Sequence, residues 1–256
     1  MKKFAIVLAA AAILTSTAFA AKKKVVINGP EDLVGKTIGV QAGTTGEMYA
    51  EEIEGAKVKS YKTGIEAGMA LANGAIDAII LDELPSKEIV KRNSKKLKIL
   101  PAEYATETYA IAVKKGNTEL LNSINKTIAA MRKDGRYEAL INAFMPADGE
   151  IKIPSLKGLD VKDTVKMGTN AAFPPFEYME GSEVVGFDAT MSLYIANDFG
   201  KKLIIQDMAF DSLIAAVNSG AIDFVAAGMT ATEERAKYVD FSEPYFESRQ
   251  VIIIRK

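Results

Sequence analysis

The 256-residue sequence contains no cysteine and no histidine. Without cysteine there can be no disulfide bond, thiolate nucleophile or zinc–thiolate site. Without histidine the chain lacks the usual general base, the Ser-His-Asp triad and the commonest side-chain ligand of transition metals. We therefore expect no metal and no cofactor. An enzyme built on this chain would have to work with carboxylates, lysine or tyrosine.

Neither sign of charge dominates the sequence. Lys and Arg number 32 and Asp and Glu number 33, which gives a net charge of −1. Nucleic-acid binding usually requires a clustered basic surface, so no nucleic-acid partner is expected. The length and the hydrophobic content of 48% are ordinary for a globular protein of one large or two modest domains.

Residues 1–20 have the pattern of a secretory signal peptide. Lys2 and Lys3 precede the apolar run 4–14, and residues 18–20 match an A-x-A cleavage site. The apolar run is too short to span a bilayer. Because no cysteine follows the cleavage site, we expect no lipid anchor, and the sequence predicts a protein that is periplasmic or secreted.

A buried strand, a glycine turn and a helix start follow one another over residues 222–235. The apolar run 222–227 predicts the strand, and Thr232 followed by two glutamates is typical of a helix N-terminus. Backbone N–H groups, the Thr230 hydroxyl and the Arg235 guanidinium would then converge on a point that suits a carboxylate. An ordinary strand-to-helix connection with a surface arginine would have the same local pattern.

A second unit of this kind lies nearer the start of the chain. Residues 37–40 predict a strand, and the glycine turn after it enters a helix near Thr45. A third strand at 75–82 ends on Asp82. Ligands of open α/β sheets gather beyond the carboxyl ends of the strands, so Asp82 would meet a ligand there. Capping of the following helix is the alternative role for Asp82.

Residues 73–79 and 219–225 form an internal repeat. Each segment follows a predicted helix and enters a buried strand, which indicates two similarly built α/β lobes. Residues 146–164 contain Asp-Gly, Pro154 and Gly158 without sustained periodicity, and they predict a linker.

Four further segments have predictions that bear on the architecture. The pattern predicts a basic helix at 88–96, a strand at 107–115 that leaves the first lobe, and a final strand at 250–256. Residues 170–178 predict an aromatic loop stiffened by two prolines.

A set of motifs covers most of the chain after the signal peptide. The motifs are Asp32-Leu33-x-Gly35-Lys36-x-x-Gly39-Val40-Gln41-x-Gly43-Thr44-Thr45, Gly168-Thr169 through Tyr178, Gly186-Phe187-Asp188, Ser219-Gly220-x-x-Asp223, Gly228-Met229-Thr230 through Arg235, and Asp240-Phe241-Ser242-x-Pro244-Tyr245. As a set, they resemble the periplasmic polar-amino-acid-binding proteins of ABC importers, which have the Venus-flytrap architecture.

The resemblance implies an α/β fold of two periplasmic-binding-protein-like lobes, each a mixed sheet with flanking helices, joined by hinge strands. In the family, the part similar to 165–256 comes first, so this chain resembles a circular permutant. The implied division is a signal peptide at 1–20, a smaller lobe at 25–108, a hinge strand with returning helices at 109–145, a linker joining the old termini at 146–164, and a larger lobe at 165–256.

The permuted order also predicts that Lys24 and Lys256 lie close together. Permutation tolerates new ends that meet at a surface. The alternative is a fusion of halves from two tandem proteins, with the site completed between two chains by swapping.

The resemblance also implies roles for individual residues. Arg235, Thr230 and Thr45 would hold the α-carboxylate of an amino acid. Asp82 would hold the α-ammonium group, together with the Gly228 carbonyl and Thr230.

The side chain of the ligand is less defined by the sequence. Phe173 and Phe210 would enclose it, and core packing is the alternative role for both rings. Asn170 lies where relatives that bind basic amino acids often carry aspartate, which argues against a strictly cationic ligand. Glu177 could compensate, or it could be structural. Glutamine, arginine, lysine and histidine all remain open.

The function implied by the resemblance is an extracytoplasmic solute receptor. Such a protein binds a free amino acid and delivers it to the membrane permease of an ABC importer, and we expect a monomer without enzymatic activity. One alternative is a secreted dehydratase resembling cyclohexadienyl dehydratase, with Glu177 or another pocket carboxylate as the acid. Another is a sensory module that signals to a membrane kinase.

Overall fold

The structure is a computed structural model that describes residues 26–147 and 149–256. The predicted signal peptide and Lys24 lie outside the described residues. The strands are β1 Thr37–Gln41, β2 Lys57–Tyr61, β3 Ala78–Asp82, β4 Leu97–Tyr109, β5 Ala112–Lys114, β6 Thr164–Thr169, β7 Ala172–Phe173, β8 Glu177–Glu180, β9 Glu183–Val185, β10 Lys202–Asp207, β11 Phe224–Val225, β12 Val239–Phe241 and β13 Phe246–Arg255. The α-helices are α1 Thr45–Glu51, α2 Gly64–Ala72, α3 Glu83–Arg92, α4 Thr118–Asp134, α5 Arg136–Phe144, α6 Phe187–Asp198, α7 Leu213–Ser219 and α8 Glu233–Ala236.

The first lobe is built on a five-stranded sheet with the order β2-β1-β3-β13-β4. β1 is parallel to β2 and β3, whereas β13 is antiparallel to β3 and β4. Residues 246–255 were assigned to the larger lobe from the sequence, but the structure pairs them in the sheet of the smaller lobe. The physical reason is that residues 251–254 are buried throughout, and such a strand needs a partner on each side. The apolar run by itself does not indicate which sheet supplies those partners.

The second lobe is built on another five-stranded sheet, with the order β10-β6-β11-β5-β12. β6 is parallel to β10 and β11, and β5 is antiparallel to β11 and β12. The predicted strand at 222–227 is shortened to Phe224–Val225. Two mixed sheets with helices around them confirm the predicted α/β class.

A small three-stranded sheet, β7-β8-β9, adjoins the cleft between the lobes. The prediction of an aromatic loop at 170–178 was therefore wrong in part, since Phe173 pairs with Glu177 across the β7–β8 hairpin. Strands of two to four residues are too short for a periodic pattern to reveal them.

Two neighbouring crossings connect the lobes. β4 is one strand of 13 residues that takes in the first residues of the strand predicted at 107–115, and after it the chain enters the second sheet as β5. The return crossing runs from β12 to β13. Backbone hydrogen bonds join the two crossings, from Ser242 N to Ile111 O (2.8 Å) and from Tyr245 N to Tyr109 O (2.8 Å). Paired crossing strands form a hinge about which two lobes can move.

The helix predicted at 88–96 lies earlier, at Glu83–Arg92. Pro85 is tolerated in its first turn, where its missing N–H needs no partner, and Asn93 ends it. The basic residues beyond Asn93 belong to a turn and to the start of β4. This shift places the beginning of the helix directly after Asp82.

The predicted linker forms no helix or strand over residues 149–163. It lies along α6, where Asn197 accepts from the Leu159 N–H (3.1 Å) and donates to the Lys157 carbonyl (3.1 Å). Within the part of the chain that the structure describes, no helix has the length and apolar character needed to cross a membrane.

Candidate functional site

All the residues predicted for the site line one cleft between the two lobes. They are Thr45, Asp82, Asn170, Phe173, Glu177, Phe210, Gly228, Thr230 and Arg235, and the cleft also includes Gln41 and Thr44. They meet because the carboxyl ends of parallel strands in both sheets point at the same gap, which is where open α/β sheets collect ligands.

Arg235 is the basic group of the cleft and is 7% exposed. The Thr232 hydroxyl accepts from the Arg235 backbone N–H (3.2 Å), which holds the start of α8. The guanidinium donates to the Thr230 carbonyl in its own lobe (2.7 Å) and to the Gly43 carbonyl in the other (2.8 Å). It also lies 5.4 Å from the centre of the Phe210 ring. Arg235 thus bridges the two lobes.

Asp82 is the acidic group contributed by the first lobe. Its side chain makes no capping hydrogen bond to α3, so the alternative role of helix cap is not the one observed. Instead the hydroxyls of Tyr109 and Ser248 contact its Oδ1, Ser248 at 3.2 Å. Burial, followed by the nearby Glu107 carboxylate, raises the pKa of Asp82 to about 6. Asp82 therefore changes its charge at a higher pH than an exposed aspartate does, near pH 6.

Gly228 lies in the turn after β11, with a φ of +52°. A Cβ atom there would come 2.7 Å from the Phe173 ring and 3.3 Å from the Tyr109 ring. Its N–H donates to Asp188 (2.8 Å), which also accepts from the Tyr245 hydroxyl (2.6 Å). Both the backbone conformation and the close approach of Phe173 therefore require glycine.

The two phenylalanines line the cleft and pack into the core at the same time. Phe173 is 6% exposed and Phe210 is 8% exposed, and each belongs to a buried apolar cluster. Core packing and cleft lining are therefore compatible roles for these rings.

Asn170 and Gln41 form a polar contact across the cleft. Gln41 Nε2 donates to Asn170 Oδ1 (3.0 Å), and Asn170 Nδ2 donates to the Met208 carbonyl (2.9 Å). Gln41 was not predicted as a site residue, although it is the last residue of β1 and belongs to one of the motifs.

Glu177 is completely buried beneath the cleft. Burial, and then the neighbouring Asp188 carboxylate, raises the pKa of Glu177 well above its ordinary value. This shift favours the protonated form of Glu177.

Glu107 is an acidic group at the cleft that sequence reasoning missed. It is 5% exposed, and its Oε2 accepts from Thr45 Oγ1 (2.9 Å), Thr230 Oγ1 (2.7 Å) and Gln250 Nε2 (3.2 Å). Residues 107 and 109 share the inward face of β4 because side chains alternate along a strand. A glutamate at an inward position of that pattern was the available signal.

The space left between these groups is small. The cavity measures about 10 Å³, which is roughly the space that one water molecule needs. A molecule as large as a free amino acid would enter this space only if the lobes separated.

Two α/β lobes joined by paired crossing strands around a polar cleft define a two-lobed ligand-binding fold. The profile of the bacterial extracellular solute-binding proteins, family 3, matches residues 16–147 and 165–256. The chain therefore belongs to that family.

Curated relatives match shorter stretches of the chain. The arginine-binding extracellular protein ArtP of Bacillus subtilis is 44% identical over 95 residues, which are 37% of this chain and 37% of that protein. The L-cystine-binding protein TcyJ of Escherichia coli is 33% identical over 123 residues, 48% of this chain and 46% of that protein. The chain thus spans about a third to a half of the length of these relatives.

Among solved structures, an ancestral arginine-binding protein bound to arginine is 49% identical with a TM-score of 0.33. The match covers 33% of this chain and 38% of that one.

Proposed function

We propose that this protein is an extracytoplasmic solute receptor that binds a free polar L-amino acid between its lobes and delivers it to the membrane permease of an ABC importer. The observation that carries this proposal is the meeting of Arg235, Thr45, Thr230 and Asp82 in one cleft whose walls come from both lobes. These groups provide donors for a carboxylate and an acceptor for an ammonium group.

The carboxylate end of the site is formed by Arg235, Thr230 and Thr45. A guanidinium can bind a carboxylate through two parallel N–H···O bonds, and the hydroxyls add one donor each. Arg235 now donates to two backbone carbonyls, and when the lobes separate, the bond to Gly43 is broken and a donor becomes available. Thr45 and Thr230 come from different lobes, so one ligand carboxylate would hold the lobes together.

The ammonium end of the site is formed by Asp82, with the Gly228 carbonyl and Thr230 beside it. Asp82 is buried, and an opposite charge close by would lower its pKa and stabilise its ionised form. Burying a charge is favourable only when it is paired, which the ligand's ammonium group would do.

The side chain of the ligand would lie between Phe173 and Phe210 and reach toward Asn170 and Glu177. We keep glutamine, arginine, lysine and histidine as candidates. Relatives named as arginine-, histidine- and cystine-binding proteins support a polar amino acid without selecting one.

The expected affinity follows from the number of charged contacts. A hydrogen bond to a charged group contributes about 1.5–3 kcal/mol. Three or four such bonds, sheltered from water on closure, support about micromolar binding after the costs of ordering are subtracted.

The test is a thermal-shift screen of the protein against the common L-amino acids, followed by calorimetry on those that raise Tm. A ligand that binds only the folded state raises the melting temperature, and we expect at least one polar amino acid to do so. If no amino acid shifts Tm, and calorimetry shows no heat of binding, the proposal fails.

The receptor is favoured over the dehydratase alternative for two reasons. Asp82 is suited to an ammonium group, and the relatives are named as binding proteins. Formation of product from prephenate or arogenate by the purified protein would reverse this preference.

We also propose that the chain is a circular permutant and acts as a monomer. In support, the family profile matches two segments separated by the predicted linker. Lys256 N donates to Lys96 O (2.9 Å), which places the end of β13 beside the start of β4. One chain also brings both halves of the site together, so swapping is not needed. Light scattering coupled to size exclusion should give the mass of one chain.

The predicted signal peptide and the absence of a lipid anchor belong to the same proposal. Mass spectrometry of protein recovered from the periplasm should find a chain that begins directly after Ala20, without a lipid.

A further inference from the structure

We propose that Glu107 is an internal occupant of the carboxylate end of the cleft, and that an incoming amino acid must displace it. The displacement step rests on the proposed function. The other half of the inference, that Glu107 holds the lobes closed before any ligand arrives, does not.

The hydrogen bonds of Glu107 are those a ligand's carboxylate would make. One oxygen accepts from the Thr45 hydroxyl (2.9 Å) and from the Thr230 hydroxyl (2.7 Å). These are two of the three groups assigned to the ligand's carboxylate, and a hydroxyl has only one hydrogen to donate. Glu107 and the ligand therefore compete for the same donors.

The position of Glu107 in the fold lets it connect the two lobes, and we call this set of hydrogen bonds the latch. Glu107 lies on β4, which is one of the two crossing strands. It contacts Thr45 at the start of α1 in the first lobe and Thr230 in the second lobe. It also accepts from Gln250 (3.2 Å) on β13, the other crossing strand. Opening the cleft must break at least one of these bonds.

The charges around Glu107 indicate what displacement involves. The Glu107 carboxylate raises the pKa of Asp82, and both carboxylates act against the lowering of the pKa of Arg235 by burial. Burial, and then Glu107, also raises the pKa of Tyr49. A zwitterion would bring its own carboxylate to Arg235 and its ammonium group to Asp82, and would leave Glu107 facing a like charge.

Occupation of the carboxylate end of the cleft by Glu107 lowers the protein's apparent affinity for ligand. When only a fraction of the molecules has the binding-competent arrangement, the apparent Kd rises by the inverse of that fraction. Removing the competing carboxylate should therefore strengthen binding of ligands that carry a carboxylate. It should have less effect on ligands that lack one.

The first arm of the test needs no ligand. Small-angle X-ray scattering compares the wild type with Glu107→Ala and with Glu103→Ala, a control on the same strand whose side chain is 43% exposed. We expect Glu107→Ala to have a larger radius of gyration and Glu103→Ala to match the wild type. Circular dichroism checks the fold, and Glu107→Gln, a neutral side chain of the same size, takes the place of the alanine variant if that variant does not fold. Equal radii for the Glu107 variant and wild type overturn the latch.

The second arm measures binding of L-arginine and of agmatine, its decarboxylated analogue, by calorimetry. We expect Glu107→Ala to bind L-arginine at least about threefold more tightly than Glu103→Ala, with a smaller gain for agmatine. An equal gain for both compounds, or none for arginine, overturns the displacement step. If the wild-type protein binds a different L-amino acid, that amino acid and its decarboxylated analogue take the place of arginine and agmatine. If it binds no L-amino acid, the proposed function is what fails, while the scattering arm still decides the latch.

Discussion

Ligand affinity should fall steeply as the pH is lowered through the range in which Asp82 titrates. Asp82 has a pKa of about 6 in the ligand-free protein because it is buried near Glu107. The proposed ammonium group would favour the ionised form and lower that pKa in the complex. Binding therefore requires Asp82 to lose its proton, and protons compete with the ligand.

The size of the effect follows from the fraction of Asp82 that is ionised. At about pH 7 roughly nine-tenths of the molecules carry the charge, and at about pH 5 roughly one-tenth do, so the apparent Kd should rise about tenfold. The α-amino group and the guanidinium of arginine keep their charge over this interval, which makes L-arginine a suitable probe.

Calorimetry between about pH 5 and about pH 7 measures the slope, with Asp82→Asn as the matched control. The variant should bind at least about tenfold more weakly at neutral pH, and its affinity should change little with pH. A Kd that is flat in the wild type, or a slope that persists unchanged in Asp82→Asn, would remove Asp82 from the ammonium end of the site.

Three other predictions address the remaining parts of the site and the stability of the fold. Arg235→Ala should weaken amino-acid binding by about tenfold or more, whereas the exposed Lys237→Ala should bind as the wild type does in the same calorimetric titration. Gly228→Ala should lower the urea midpoint more than Gly220→Ala. Both glycines have a positive φ, which costs an alanine about 1–2 kcal/mol of strain, but only at Gly228 does the new Cβ meet Phe173. Equal decreases of the urea midpoint in the two variants would contradict this. Folding raises the pKa of Asp82 above its ordinary value, to about 6. The folded state therefore binds more protons than the unfolded state between about pH 7 and about pH 5, and the ligand-free protein should become more stable as the pH falls through this range. That gain should shrink in Asp82→Asn, and an undiminished urea-midpoint shift in the variant would assign it to other groups.

Several elements could be predicted closely because their signals are local. α1 begins at the predicted Thr45, and β3 ends at the predicted Asp82. Each of these segments carries its own periodicity, turn residues or capping residues, so no distant contact is needed to define it. The repeat at 73–79 and 219–225 likewise indicated two lobes of similar construction.

The errors occurred where a distant partner decides the outcome. β13 is an apolar run that could have joined either sheet, and only pairing with β3 and β4 assigns it to the first lobe. β7, β8 and β9 are too short to have a pattern of their own, and their pairing makes them strands.

The site residues also divide into those that a local sequence pattern reveals and those that only distant contacts reveal. Arg235 and Asp82 could be singled out from the sequence because Asp82 ends a predicted strand and Arg235 lies at the start of the helix that follows another strand and its glycine turn. Glu107 could not, because its role depends on hydroxyls that are 62 and 123 residues away along the chain.

By itself, the sequence determined the α/β class, the two lobes and the residues at the strand ends, because these depend on neighbours within a few positions. Only the tertiary structure decided which sheet receives the last strand and that a glutamate on the hinge holds the hydroxyls of both lobes. Those outcomes depend on which distant groups meet when the chain closes on itself, and no local pattern encodes that.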